Sequence, residues 1–487
     1  MPTQILIFSL LPTILFLVAA LVLLVIRGKN ERRKKRGLNI PPGTMGWPFI
    51  GETFSFMRTH SCTSLGHYLE DRKSRYGKIF RSHIFGKPTI VSLDAEFNRF
   101  VLLNDGKLFE PCFPKSVEAV LGKNAMLLLS GEIHSRMKTL CLTFMSIGRL
   151  RTRFLIDVES SVTQTLDSWK ENSPFPAQEE VCKVAFNLMV KNIMSMNPGE
   201  PETEKVRRAY AKFMKGVLAI PLNLPWSSFR KALQSRSCIL KAIEELMEKR
   251  VHEVEMGTDE IGEEDLMGYV LKNSTLNAEE FGDLLLGLLF GGHETSTTAM
   301  TLIIYFLHDC PTAVQQLREE HLRIIKAKRE RGEPKALTWD DYKQMEFTQC
   351  VISEALRLGS VIRFVHRKAT TDVQFKGYDI PSGWSIIPVF AAAHLDPSMY
   401  EDPEKFNPWR WQGDSLNTAR IEYYMPFGQG ARNCAGLELA KLEFAVFLHH
   451  LVLNFDWEVA EPDSPLTYAF PEFPKGLPIK VRRLSLV

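Results

Sequence analysis

The chain reads as a mainly α-helical body with a minor β portion, carried behind an apolar amino-terminal segment. Three observations over its 487 residues point there. Residues 1–26 carry no charge. Most of 95–310 places its apolar side chains at helical spacing, and 281–308 is apolar nearly all round, the pattern of a buried helix. Strand-like runs are short and few, at Ile79–Ile84, at 88–92 and within 363–390. A hydrophobic content of 45% beside 24% charged residues excludes global disorder.

Residues 5–26 are mostly Leu, Ile, Val, Phe and Ala, and a helix needs about 20 such residues to cross a bilayer. A cleaved signal peptide is the competing reading, but no basic residue precedes the run, which exceeds the ~7–15 residues of a signal core. Residues 1–26 are therefore expected to be a retained single-pass anchor. The block at 27–36 that follows is net +6, and positive flanks stay cytosolic, so the body is expected there too. The whole chain is only +3, which leaves every other residue together at −3. The basic balance is thus one local cluster, and a nucleic-acid partner is not expected. Residues 27–48 form a basic, proline-rich linker; Pro41, Pro42 and Pro48 make it a stiff connector or a plain spacer.

Within the body, 49–487, Phe85-Gly86-Lys87 splits two strands in hairpin fashion. The acidic stretch 253–265, with Gly257 and Gly262, reads as an exposed loop. Asn277 caps the long apolar helix, with Glu279 and Glu280 in its first turn. Helical spacing resumes at 311–331 and 339–358. Residues 394–433 are proline- and aromatic-rich and irregular, 435–453 is helical, and strand-like tails close the chain. The eight cysteines are scattered without a CxxC, so neither a disulfide scaffold nor a structural zinc site is indicated.

One cysteine stands apart. Phe427-Gly428-Gln429-Gly430-Ala431-Arg432-Asn433-Cys434-Ala435-Gly436 places it in a glycine-rich loop just before a helix, whose positive end favours a thiolate. Metal ligand, nucleophile and ordinary turn all remain open on that ground. Gly291 and Gly292 sit inside the long helix and cost about 1 kcal/mol each relative to alanine. They call for a local widening, a ligand in close approach, or tight helix packing. Glu294 and Thr295 follow as an acid–hydroxyl pair able to relay protons. Glu354 and Arg357 share a helix face, as a surface pair or a buried one.

The frame F-x-x-G-x-R-x-C-x-G resembles the haem-thiolate loop of the cytochrome P-450 superfamily. Three further signatures occur in the same order: Gly291–Ser296, Glu354-Ala355-Leu356-Arg357, and Pro403 to Trp411 with Arg410. The resemblance implies a cytochrome P-450 fold and haem b, with Cys434 as the metal ligand in a loop shaped by Phe427, Gly430 and Gly436. It implies that Arg432 pairs a haem propionate. His134 and Lys138 stand where relatives carry a Trp and an Arg for the propionates, and Arg367, or His366 beside it, is a further contact. Glu354, Arg357 and Arg410 would brace the loop. Gly291 and Gly292 would form the oxygen groove, with Thr295 and Glu294 handling protons. Electrons would come from NADPH through a membrane-bound cytochrome P-450 reductase. Gly291, Ala431 and Asn433 depart from the commoner family residues.

Segments such as Gly377-Tyr378-Asp379-Ile380-Pro381-Ser382-Gly383-Trp384 and Arg363-Phe364-Val365-His366-Arg367-Lys368 resemble the plant steroid-oxidising branch that includes brassinosteroid C-22 hydroxylases. That implies a sterol side-chain monooxygenase acting at C-22 of cholesterol or a phytosterol, on the endoplasmic reticulum membrane and in contact with lipid. Oxidation at C-16 or C-26, or of a 22-hydroxysterol to a ketone, are the alternatives within the class. A haem-thiolate isomerase or dehydratase is the alternative outside it. Phe113, Val117, Val217, Leu286, Phe290, Ile362 and Phe470 are the pocket residues by family position.

Overall fold

Two strands, Ile79–Ile84 and Lys87–Ser92, turn on Phe85 and Gly86, whose φ values of 53° and 73° are those of a two-residue hairpin turn. In this computed structural model, which describes residues 37–48, 50–217, 219–256, 262–413 and 422–484, that hairpin seeds a five-stranded sheet. Lys87–Ser92 pairs parallel with Ser385–Pro388, which pairs antiparallel with Arg367–Ala369, which pairs antiparallel with Phe109–Pro111 at the edge. Pro111 is tolerated there because an edge strand need not donate on both sides. The expected anchor at 1–26 and the basic block at 27–36 lie outside the described residues. Among the described residues no helix is long and apolar enough to cross a membrane.

The rest is predominantly helical, packed into one large apolar core. Its axis is the helix Ala278–His308, started by a capping box in which Asn277 accepts from Glu280 N–H and the Glu280 carboxylate accepts from Asn277 N–H. Ala177–Met194, Glu346–Gly359 and Leu437–Asn454 pack against it. Between 281 and 300 this helix is buried except for Gly287, Leu288, Phe290, Gly291, Gly292, Glu294 and Thr295. Those positions recur at three- and four-residue spacing, so one open stripe runs along an otherwise enclosed helix.

Three sequence expectations are corrected. The helix at 339–358 is two, Trp339–Lys343 and Glu346–Gly359, because Glu320 carboxylate oxygens accept from Phe347 and Thr348 N–H and start the second one afresh. The helix Ser228–Glu255 runs into the acidic stretch read as an exposed loop. Asp265, at the end of that stretch, is buried: it caps Leu266–Asn273 and accepts two bonds from Arg250 at 2.7 and 2.6 Å. The last long helix begins at Leu437 rather than 435, with Gly436 at its cap position.

Candidate active site

The loop before Leu437 is folded by its own backbone. Cys434 N–H donates to Phe427 O at 2.9 Å, Asn433 N–H to Gly430 O at 3.2 Å, and Gly428 N–H to Met425 O at 3.1 Å. Gly430 has φ +69°, and a Cβ there would stand 2.6 Å from Leu102 O on the helix Ala95–Leu103. Two penalties therefore meet at one position: a left-handed backbone, worth about 1–3 kcal/mol for a side-chain-bearing residue, and a backbone collision. Gly430→Ala is expected to lower both the thermal midpoint and the haem content of purified protein. Unchanged haem content would show that the loop tolerates being pushed off Leu102.

Cys434 keeps accessible surface although protein surrounds it, the property of a side chain lining an internal cleft. Burial raises its thiol pKa, outweighing the Gly436 N–H and the Lys138 ammonium, which lower it. The helix start alone therefore does not secure a thiolate. A bound metal does, because a coordinating thiol is deprotonated outright.

Two cations expected near the propionates converge on one carboxylate. Arg432 Nε donates to Asp105 Oδ1 at 2.6 Å and Arg367 Nε to Asp105 Oδ2 at 2.5 Å, with all three side chains nearly enclosed. Arg432 also donates to the carbonyls of Leu127 and Leu129. Sequence reading missed Asp105, which meets Arg432 across 327 positions with no local signal. Lys138 reaches the cysteine loop itself, donating to Ala431 O at 2.8 Å and to Asn433 Oδ1. His134 is buried, and burial with Arg432 and Lys138 beside it pulls its pKa to about 4, so it is a neutral imidazole. Of the pair Arg367 and His366, it is Arg367 that joins this cluster; His366 turns among aromatic rings.

Glu354, Arg357 and Arg410 come together as expected of neighbours in a network. The Glu354 carboxylate accepts from Arg357 Nε and Nη2 at 2.9 and 2.8 Å, from Arg410 Nε at 3.0 Å, from Trp411 Nε1 at 2.9 Å and from Asn407 N–H at 2.9 Å. Glu354 and Arg357 have no exposed surface. Arg357 Nη1 donates to His394 O at 2.6 Å. His394 Nε2 accepts from Met425 N–H at 3.2 Å, so its proton sits on Nδ1, 3.0 Å from Ser360 Oγ. Met425 is the residue whose carbonyl holds Gly428, which makes His394 the tie between the network and the cysteine loop. Sequence reading missed it as well.

On the long helix, Thr295 Oγ1 donates to Gly291 O at 2.6 Å, and a Cβ at Gly291 would meet nothing within 4 Å. A Cβ at Gly292 would strike Met189, so the two glycines serve different ends: one open surface, one close helix approach. Burial, with Glu472 adding to it, raises the Glu294 pKa to about 7. Ser296 Oγ donates to Glu443 at 2.7 Å, tying this stretch to the helix that follows Cys434. Among the expected pocket residues, Phe290 lies on the open stripe. Leu286 does not: it has no exposed surface and belongs to the core. Val117 and Val217 are buried in that core too, while Phe113, Ile362 and Phe470 keep accessible surface.

An accessible cysteine in a backbone-folded loop, a cation cluster beside it, and an open helix stripe with an acid–hydroxyl pair define a haem-thiolate enzyme. Residues 41–479 match the cytochrome P450 family, and the chain belongs to it. It is 68% identical over 486 residues, 100% of both chains, to a protein named cholesterol 16,22-dihydroxylase CYP90G4 of Paris polyphylla. It is 55% identical over 472 residues to cholesterol 22-monohydroxylase CYP90B52 of the same plant, covering 97% of this chain and 99% of that one. A solved structure titled retinoic acid bound cyanobacterial CYP120A1 superposes with a TM-score of 0.80 at 27% identity, covering 92% of this chain and 100% of that chain.

The cofactor is haem, and electrons reach it from NADPH through a reductase partner. The residues present fit that group. Cys434 offers an accessible sulfur, and Lys138, Arg367 and Arg432 against Asp105 leave a net +2 for two propionate carboxylates. Gly291 leaves the facing helix open.

Proposed function

We propose that this chain is a sterol side-chain monooxygenase that hydroxylates cholesterol or a phytosterol at C-22. Identity of 68% along the whole length to the protein named cholesterol 16,22-dihydroxylase carries the reading. The same name supports C-16 as a second position. Haem held by Cys434 supplies the activation of dioxygen, and the chain's own groups order everything around it. Arg367, Arg432 and Lys138 hold the propionate side, Glu354, Arg357 and Arg410 brace the loop through His394, and Thr295 and Glu294 manage protons.

The proton role has a sign. With a pKa of about 7, the Glu294 carboxyl is protonated below that pH and a donor, and charged above it. Product formed per NADPH consumed is therefore expected to fall as pH rises through about 7, and Glu294→Gln should flatten that dependence. An unchanged pH profile in the variant would remove Glu294 from proton delivery.

We place the protein on the endoplasmic reticulum membrane with residues 1–26 as the anchor and the body cytosolic. The charge asymmetry at 27–36 supports this, as do exposed apolar side chains at Trp47, Ile50 and Phe54 and at Ile220, Leu222, Leu224 and Trp226, which suit contact with lipid.

The test is incubation with reductase, NADPH and cholesterol, with products identified by mass spectrometry and NMR. A 22-hydroxysterol whose new oxygen derives from dioxygen is expected. A folded, haem-loaded protein that oxidises no sterol of a broad panel would overturn the substrate. A product without oxygen from dioxygen would favour the isomerase or dehydratase reading.

A further inference from the structure

We infer that an aromatic-walled subsite around Phe364 takes the hydroxyl-bearing end of the substrate, with His366 and Tyr468 as its two hydrogen-bonding groups. The inference rests on the sterol reading above and deepens it.

The placement begins with strand geometry. Adjacent residues of an extended chain point to opposite sides, so while Arg367 reaches Asp105, His366 turns the other way. Its ring meets Phe85, Phe113 and Phe364 at centroid distances of 5.7, 5.5 and 5.5 Å. Tyr468 packs on the same Phe364 at 6.1 Å and on Phe56 at 5.8 Å. Phe56 in turn touches Phe364 at 5.1 Å and Phe85 at 6.3 Å. Five separated stretches of chain thus build one aromatic wall. Phe85 holds a left-handed φ of 53° at the hairpin tip, a conformation costly for a phenylalanine, and its ring is part of that wall.

Inside this apolar wall stand two polar groups, the His366 ring and the Tyr468 hydroxyl. Among the described residues neither ring nitrogen of His366 nor the hydroxyl of Tyr468 has a hydrogen-bond partner, and neither belongs to the fully enclosed orphan atoms. Both side chains keep accessible surface. Burial, with Arg367 and Lys87 adding to it, draws the His366 pKa to about 3, so it is a neutral ring with one donor and one acceptor. Burial raises the Tyr468 pKa, so that group stays a hydroxyl. Such a pair suits a ligand hydroxyl, which donates one bond and accepts others. A few convergent polar groups in an aromatic pocket are how an otherwise apolar ligand is oriented.

A sterol supplies one hydroxyl, at the ring end opposite the side chain. Oxidation of the side chain directs that far end away from Cys434, and the His366 and Tyr468 pair is assigned to receive it. Of the expected pocket residues, Phe113 is in direct contact with it, its ring 5.5 Å from that of His366.

Equilibrium binding to the haem-loaded protein, followed by the substrate-induced change in haem absorbance, tests this with cholesterol and its analogue lacking the ring hydroxyl. The protein is expected to prefer cholesterol by about tenfold or more, the worth of one or two net hydrogen bonds. The double variant His366→Leu, Tyr468→Phe should keep its affinity for the analogue and lose the preference. Tyr468→Phe alone, which preserves the ring contacts, should reduce it. A protein that binds both ligands equally, or a double variant that keeps the preference, overturns the subsite while leaving the sterol reading standing. A protein that binds neither overturns both.

Discussion

Cys434→Ala abolishes turnover and the thiolate-specific Soret band of the reduced carbon-monoxide complex, while the protein itself remains folded. The second half of that expectation comes from the side chain's surroundings. Its sulfur keeps accessible surface, so truncation to alanine opens little new cavity, and the loop is held by backbone bonds from Phe427, Gly430 and Met425 that do not involve the thiol. The first half comes from ligand chemistry, since alanine offers no donor to the iron. There is also a pH sign. Because burial raises the thiol pKa in the protein alone, haem binding must displace a proton, and apparent haem affinity should rise with pH below that pKa. A Cys434→Ala protein that still shows the thiolate band would remove the cysteine from the iron. A variant that melts far below the parent in the haem-free state would show that the loop needs the thiol for its fold.

What could be read from the chain and what could not divide along sequence distance. The cysteine frame, the Asn277 cap, the Phe85-Gly86 turn and the Glu354–Arg357 pair are local patterns, each carried within ten residues, and all four stand where they were expected. Asp105, His394 and the aromatic wall around Phe364 act through contacts between distant segments. A lone Asp in a turn or a lone His after three alanines carries no periodicity to mark it. Leu286 lies beside the open stripe at Gly287, Phe290 and Gly291 and has no exposed surface, because each residue of a helix turns the face by about 100°. The helix break near 344 was missed because its cause, the Glu320 carboxylate accepting at Phe347 and Thr348, comes from another helix.

Glu354→Ala is expected to be the most destabilising single change near the site, on the order of 3–5 kcal/mol, the usual result of removing one partner from a buried ion pair. The geometry explains why the loss is not local. Five donors end on this carboxylate, and without it the buried Arg357 and Arg410 guanidiniums lose the acceptor they share. Arg357 would still hold carbonyls at His394 and Pro403, but its orientation is set by the paired bonds to Glu354. Any shift passes through His394 to Met425 N–H, and from Met425 O to Gly428 in the cysteine loop. The expected phenotype is therefore double: a lowered thermal midpoint and a loop that no longer retains haem. His394→Phe separates the two. It spares the Glu354 network, removes the acceptor for Met425, and should lose haem with a smaller loss of stability. If Glu354→Ala melts like the parent, the buried network is not what holds this part of the fold. If His394→Phe keeps full haem content while Glu354→Ala loses it, the brace reaches the loop by another route than His394.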